Sequence, residues 1–175
     1  MPNANEDFRE QIPTAAYYNM LVLQQATIDG DLRRALKHWS AEMGVSSEVS
    51  LINPGLVASL LYCLIVVPKE VWDPPSNDAI YVKLNEGEPL KLFHVTTWQR
   101  KSNEHPLRDF LRHLRNAIAH ANFSVDSEWR FEFWDKPSKG EDVNFRASIV
   151  RDDLARFLSV VGSELARLKD RKMCR

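Results

Sequence analysis

The segment from His105 to Asn122 constrains the fold more than any other part of the chain. Its apolar residues recur at spacings of three and four, the pattern of a helix that buries one face: Leu107, Phe110, Leu111, Leu114, Ala117 and Ile118. After Asn122 the period changes to two, so that Trp129, Phe131 and Phe133 fall on one face of a strand. The sequence therefore predicts an amphipathic helix that runs directly into β structure.

Helices are also predicted on both sides of this unit. Residues 14–43 show helical spacing that is interrupted at Asp29-Gly30-Asp31. The interruption is either a break between two helices or a tolerated glycine, because glycine costs only about 1 kcal/mol inside a helix. Residues 56–67 are apolar nearly all round and predict a buried helix, with a strand as the alternative because Ile65, Val66 and Val67 are β-branched. Residues 154–165 predict a final amphipathic helix.

The remaining segments complete a single mainly α domain over residues 1–175, with about four or five helices. Residues 1–13 are expected to be a loose lead-in, and residues 168–175 a basic tail. Residues 123–149 predict a small β-hairpin before the last helix, with its turn at Pro137–Gly140. Residues 68–89 are expected to be irregular, with Ile80–Leu84 a candidate short strand, and residues 90–98 favour no element. We assign no function to residues 68–100.

Composition excludes several classes of protein. The chain has 175 residues, of which 44% are hydrophobic and 27% charged, so it can build a core without disulfides or a metal. Its net charge of −1 means that any nucleic-acid site must be local. Two cysteines and an N-terminus without a signal-peptide pattern favour a cytoplasmic protein. The longest apolar stretch is about twelve residues, too short to span a membrane.

One polar face of the predicted helix carries residues suited to chemistry. At 100° per residue, Arg112, Asn116 and His120 stack along the helix, and Arg115 lies on the flank. Arginine binds phosphate and histidine exchanges protons near neutral pH. The set matches what RNA cleavage needs, a base for the 2′-hydroxyl and a cation for the charge on phosphate. His113 lies near His120 and is a candidate to assist it.

Other interpretations of these residues remain open. Such a face on an amphipathic helix is usually only a solvated surface, and a histidine in the position of His113 is more often a surface residue than an assisting one. The sequence has no cysteine pair and no His-x-x-x-His, and we therefore expect no metal and no cofactor. It also has no glycine-rich phosphate loop and no nucleophile elbow.

The segment Arg115-Asn116-Ala117-Ile118-Ala119-His120 resembles the Arg-polar-x-x-x-His signature of the HEPN superfamily. The following text, around Phe131–Asp135 and Asn144–Ile149, resembles a bacterial and plasmid-encoded subgroup with a hairpin after the motif helix. The similarity is clear over residues 105–165. It implies a HEPN-like helical bundle and a homodimer whose two motifs face one cleft. It also implies Arg115 and His120 as a catalytic pair, with Asn116 as the supporting polar residue.

The resemblance further implies a function. Many HEPN proteins are metal-independent endoribonucleases of toxin–antitoxin or defence systems, and others only bind nucleic acid or partners. We therefore expect an endoribonuclease that leaves a 2′,3′-cyclic phosphate. By this resemblance Arg115, Asn116 and His120 would be catalytic. Helix geometry, and not the resemblance, adds Arg112 and His113 as residues that would bind substrate. Its partners would be RNA, a second copy of the chain and an antitoxin or inhibitor protein, without a membrane. A dimeric HEPN module that binds RNA or a protein without catalysis is the alternative.

Overall fold

The computed structural model describes residues 4–44, 54–68, 78–100, 105–136 and 142–173. Within these ranges the chain is mostly helical, with a small four-stranded antiparallel sheet. In chain order the elements are α1 (Ala4–Ile28), α2 (Asp31–Glu42), α3 (Pro54–Leu61) with a π-helical turn (Tyr62–Val66), α4 (Asp78–Glu86), a 3₁₀ turn (Pro89–Leu92), β1 (His94–Trp98), α5 (Pro106–Ala119), β2 (Phe123–Val125), β3 (Arg130–Asp135), β4 (Phe145–Val150) and α6 (Arg151–Met173).

The sheet has the order β1-β4-β3-β2, and α5 packs against it. Because side chains alternate along a strand, Phe131, Phe133 and Asp135 of β3 share one buried face. Asp135 lies opposite Phe145 of β4, whose ring contacts Phe110 of α5 with ring centroids 5.2 Å apart. The inner face of the sheet is therefore the one that meets α5.

The core is centred on Phe110 of α5, which is fully buried. The rings of Phe93 and Trp98 pack edge-on against it, at centroid distances of 4.8 and 5.8 Å. Phe93 in turn contacts Phe157 of α6, at 5.0 Å. These contacts fix α5 between the sheet and the last helix, and so position the polar face of α5.

The structure decides two questions that the sequence pattern left open: whether the helix breaks at Gly30, and whether residues 56–67 form a helix or a strand. Gly30 has φ of 75°, a left-handed conformation that glycine adopts readily, and it separates α1 from α2. Residues 54–66 are helical, with Leu61, Leu64 and Ile65 fully buried, and the strand alternative is wrong. Their β-branched residues are accommodated because tertiary packing outweighs a weak propensity.

The expectation of a loose lead-in is wrong for residues 4–13, because α1 begins at Ala4 and contains Pro13. A proline inside a helix removes one backbone hydrogen bond. Pro13 is itself buried, and Ala16 and Met20 further along α1 are buried as well. Packing of α1 against α6 offsets the missing hydrogen bond. Residues 1–3 lie outside the described residues.

In the middle of the chain one expectation is corrected, and one segment that the sequence left ambiguous is assigned. Ile80–Leu84 is part of the helix α4, because Ile80, Tyr81 and Leu84 bury one helical face. Residues 90–98 form the end of the 3₁₀ turn and then β1, which pairs with β4. The strand could not be predicted locally, since its partner lies about 50 residues later in the chain.

The expected hairpin is a larger sheet. A turn at residues 126–129 divides the predicted first strand into β2 and β3, where Oδ1 of Asp126 accepts hydrogen bonds from the backbone N–H groups of Glu128 and Arg130. The predicted turn at Pro137–Gly140 lies outside the described residues. The backbone of the predicted basic tail is helical as far as Met173, where α6 ends.

Among the helices of the described ranges, we find none with the length and apolar character that crossing a membrane requires.

Candidate functional site

The C-terminal end of α5 has a defined geometry that places His120. His120 is the C-cap residue, and Ala121 follows it with φ of 54°. The backbone N–H of Asn122 donates to the carbonyl of Ala117 at 2.7 Å, and that of Ala121 to Ile118 at 3.1 Å. This pair of bonds is a Schellman motif, which ends a helix and satisfies its last carbonyls. His120 therefore lies exposed at a sharply terminated helix end.

The chain after His120 is attached directly to the sheet. The carbonyl of Asn122 accepts a hydrogen bond from the backbone N–H of Trp134 in β3, at 3.0 Å. The next residue of β3 is Asp135, whose side chain is on the inner face of the sheet. The end of β3 thus contacts the end of α5 through the backbone and brings a carboxylate to the helix.

Asp135 holds two side chains of α5 with a single oxygen. Its Oδ2 accepts from Nδ1 of His113 at 2.8 Å and from Nδ2 of Asn116 at 3.1 Å. The Asp135 side chain is 5% exposed and that of His113 is 1% exposed. The His113 ring also stacks on Phe145, with centroids 5.1 Å apart and planes at 2°. This region of α5 is consequently held to the sheet by hydrogen bonds and by ring stacking.

A second buried carboxylate, Asp109, continues the network toward β1. Its Oδ2 accepts from Nε1 of Trp98 at 2.7 Å, and its Oδ1 pairs with the guanidinium of Arg112. Nη2 of Arg112 also lies 3.1 Å from Nε2 of His113. If His113 donates from Nδ1 to Asp135, its Nε2 can accept from Arg112, so every link has a donor and an acceptor. The polar face of α5 is thereby tied to both β1 and β3.

The electrostatics of Asp135 follow from these contacts. Burial on its own would raise the pKa of Asp135, because it penalises the charged form. Hydrogen bonds from His113 and Asn116, the positive charge of the histidine when protonated and the backbone of Lys136 act in the opposite direction, and the pKa is lowered overall. Asp135 is therefore a carboxylate at neutral pH and can only accept hydrogen bonds from its neighbours.

The structure separates the five predicted site residues into two groups. Arg112, His113 and Asn116 come together around Asp109 and Asp135. His120 is exposed at the helix end, and Arg115 is half-buried on α5. The alternative of His113 as a surface residue is wrong, because its ring is buried against Phe145. The side chain of Arg112 is 23% exposed.

Three residues of this site were not predicted: Trp98, Asp109 and Asp135. For Asp135 the sequence held a signal, because alternation places it on the same strand face as Phe131 and Phe133. An acid on a buried strand face needs a partner. For Asp109 the signal was its spacing of three and four residues from Arg112 and His113. Within the described residues, no group of three or more histidine, cysteine, aspartate or glutamate side chains is placed to hold a metal ion.

Comparison with known proteins gives one match. A family model described as HEPN pEK499 p136 matches residues 1–170. No curated protein and no solved structure matches the chain. The matched range includes α5, the whole sheet and nearly all of α6, and it confirms the resemblance that rested on residues 105–165. The chain therefore belongs to the HEPN pEK499 p136 family of the HEPN superfamily.

Proposed function

We propose that this protein is a metal-independent endoribonuclease of the HEPN type. The observation that supports it most is the geometry of α5. The motif Arg115-Asn116-x-x-x-His120 occupies the last turns and the C-cap of a helix whose end is held by a Schellman motif and by β3. Catalytic groups need fixed positions, because small misplacements reduce the rate strongly. The rigid support beneath an exposed histidine meets that need.

Each motif residue has a chemical role in the proposed reaction. His120 is exposed and can take a proton from the ribose 2′-hydroxyl or give one to the leaving oxygen. Arg115 stabilises the charge that develops on the phosphate. Asn116 and Arg112 position the substrate from the same helix face. The substrate-binding role that the sequence suggested for His113 becomes indirect, because its ring is buried and holds Asp135.

The proposed active unit is a C2 homodimer of helical bundles with the two α5 helices near the axis. His120 lies five positions after Arg115, so their directions around the helix differ by about 140°. One chain alone presents these side chains poorly to a single phosphate. Two facing copies can surround it, each contributing one group. We propose a cytoplasmic toxin or defence effector that acts on RNA and is restrained by an antitoxin or inhibitor protein.

A second function is favoured by one observation. Arg112 and Asn116 already bond to the buried carboxylates Asp109 and Asp135, so part of the motif face supports the fold. A module that binds RNA or a partner protein without cleaving it would use the same dimer and the same helix end. In that case His120 would contribute little, and binding would depend on the arginines and on salt.

Product analysis separates the two functions. The purified dimer is incubated with end-labelled mixed-sequence RNA in EDTA and, in parallel, in magnesium. The nuclease predicts equal cleavage in both, with 2′,3′-cyclic phosphate ends that acid converts to monophosphates. Cleavage only with magnesium, or 3′-hydroxyl ends, would contradict the proposed chemistry. Retained RNA binding without cleavage, for substrates of several structures, would favour the binding module.

A further inference from the structure

The orientation of the Asn116 amide is imposed by its neighbour. Oδ2 of Asp135 accepts a hydrogen bond from Nδ2 of the Asn116 amide at 3.1 Å. An ionised carboxylate has no proton to donate. The amide must therefore turn its nitrogen toward Asp135. Asp135 cannot rotate away easily, because the same oxygen also accepts from the buried His113 at 2.8 Å.

The other end of the amide is then directed away from β3. Asn116 is half-buried, and within the part of the chain that the structure describes no hydrogen bond engages its Oδ1. We propose that Asp135 is a positioning residue that holds the Asn116 amide so that Oδ1 accepts a hydrogen bond from a ribose 2′-hydroxyl of bound RNA, on a nucleotide other than the one whose 2′-hydroxyl His120 deprotonates. This inference rests on the proposed function, since it assigns the substrate contact of the same helix face.

The chemistry of an amide oxygen selects the ligand. Oδ1 can bind only a donor, which a phosphate diester lacks and a ribose 2′-hydroxyl provides. DNA has no such hydroxyl, and the 2′-hydroxyl is the group by which proteins distinguish RNA from DNA at one site. Asn116 and Asp135 together therefore contribute to a preference for RNA, whereas the arginines bind either backbone.

The test measures binding rather than cleavage, in a His120→Ala background so that the RNA stays intact. Dissociation constants are measured for a mixed-sequence RNA oligonucleotide and for DNA of the same sequence. The readout is the ratio of the dissociation constant for DNA to that for RNA. A loss of affinity that affects both oligonucleotides equally leaves this ratio unchanged. Adding Asp135→Ala should reduce the preference for RNA about five-fold, the factor that one hydrogen bond between neutral groups is worth.

Two controls separate positioning from loss of stability. Asp135→Asn keeps an oxygen that can receive both donors, so it should retain the preference. Trp98→Phe removes one hydrogen bond from Asp109 in the same network without touching Asn116, and should also retain it. Asn116→Ala should lose the preference as Asp135→Ala does. The double variant Asn116→Ala/Asp135→Ala should lose no more of the preference than either single variant, because both substitutions remove the same interaction.

Several results would overturn the inference: an unchanged ratio in Asp135→Ala or Asn116→Ala, an equal loss in Trp98→Phe, or no binding of either oligonucleotide. Its failure is distinct from failure of the proposed function. Cleavage of RNA in EDTA with an unchanged ratio would refute the positioning role and leave the nuclease. A changed ratio without cleavage by the histidine-containing protein would refute the nuclease and support the acceptor role of Asn116.

Discussion

The amide nitrogen of Asn116 donates to the carboxylate of Asp135 across 3.1 Å, from the last turns of α5 to the end of β3. Asn116 lies in the segment that resembles the HEPN motif, and Asp135 lies at the end of β3. The same carboxylate oxygen also holds His113, which stacks on Phe145 of β4. The geometry of the motif helix therefore depends on the sheet, and the substitutions below test that dependence.

The lowered pKa of Asp135 predicts a pH-dependent contribution to stability. The folded-state pKa lies below the ordinary value of about 3.9, so the contribution is present above that value and is lost as pH falls through the folded-state pKa. Asp135→Asn should reduce the free energy of unfolding by about 1 kcal/mol at pH 6, the difference between a charged and a neutral acceptor. The difference between the two proteins should shrink below pH 4.

Urea unfolding of both proteins between pH 3 and pH 7 measures this difference. Exposed carboxylates change both proteins equally and cancel in the comparison. A difference that stays constant down to pH 3 would contradict the assignment of an ionised, hydrogen-bonded Asp135.

Ala121, which follows the helix end at His120, has a strained backbone conformation. Its φ of 54° lies in the left-handed region, which costs an L-residue roughly 1–2 kcal/mol and which glycine adopts freely. Ala121→Gly should therefore increase the free energy of unfolding by about 0.5–1 kcal/mol, after the entropy that glycine loses on folding. Thermal and urea unfolding measure it. A loss of stability would show that the Schellman motif is not formed.

A close contact between α1 and α6 predicts that replacing a native glycine, Gly162, destabilises the protein. A Cβ added at Gly162 would lie 2.3 Å from Cδ2 and 2.8 Å from Cγ of Tyr17. Gly162→Ala should separate the two helices and reduce the free energy of unfolding by about 1–3 kcal/mol. Ser159→Ala, half-buried on the same helix, is the control and should change it by less than about 0.5 kcal/mol. Equal stability of both variants and the wild type would contradict the packing of α1 on α6.

The sequence predicted α5 well because its pattern is local and strong. Six apolar residues at helical spacing define the buried face, and all six are buried in the structure. The break at Gly30 could only be narrowed to two alternatives, because a glycine is compatible with both. Pro13 was misleading: it is buried inside α1, and the packing of α1 on α6 outweighs the local cost of a proline.

The sheet and the buried network were harder to predict because they depend on distant pairs. β1 is defined by pairing His94 with Ser148, more than fifty residues later, and no local pattern encodes that register. Alternation could place Asp135 on a buried strand face. Its partner His113 could be identified only once α5 was docked on the sheet. The buried carboxylates Asp109 and Asp135, which bond to the polar face of α5, were therefore missed.

A composite dimer site predicts complementation between inactive chains. Arg115→Ala and His120→Ala should each be inactive alone. When they are mixed after dissociation and reassociation, heterodimers pair an intact Arg115 of one chain with an intact His120 of the other. Random reassociation of equal amounts makes half of the dimers mixed. A wild-type dimer has two composite sites, and a mixed dimer keeps one of them. Cleavage should therefore recover to roughly a quarter of the wild-type rate. No recovery, with mixed dimers shown by a tagged copy, would mean that each chain forms its own site.

The most direct test of the central claim is the rate of RNA cleavage in EDTA by wild type and by His120→Ala, each shown to be folded and of equal oligomeric state. His94→Ala is the control, since His94 is an exposed histidine on β1, at the opposite edge of the sheet from the β2 strand that follows the motif. General acid–base catalysis predicts a loss of about 10²-fold or more in His120→Ala and an unchanged rate in His94→Ala. Equal cleavage by all three proteins would contradict the account, because the activity would then come from a source other than the α5 motif.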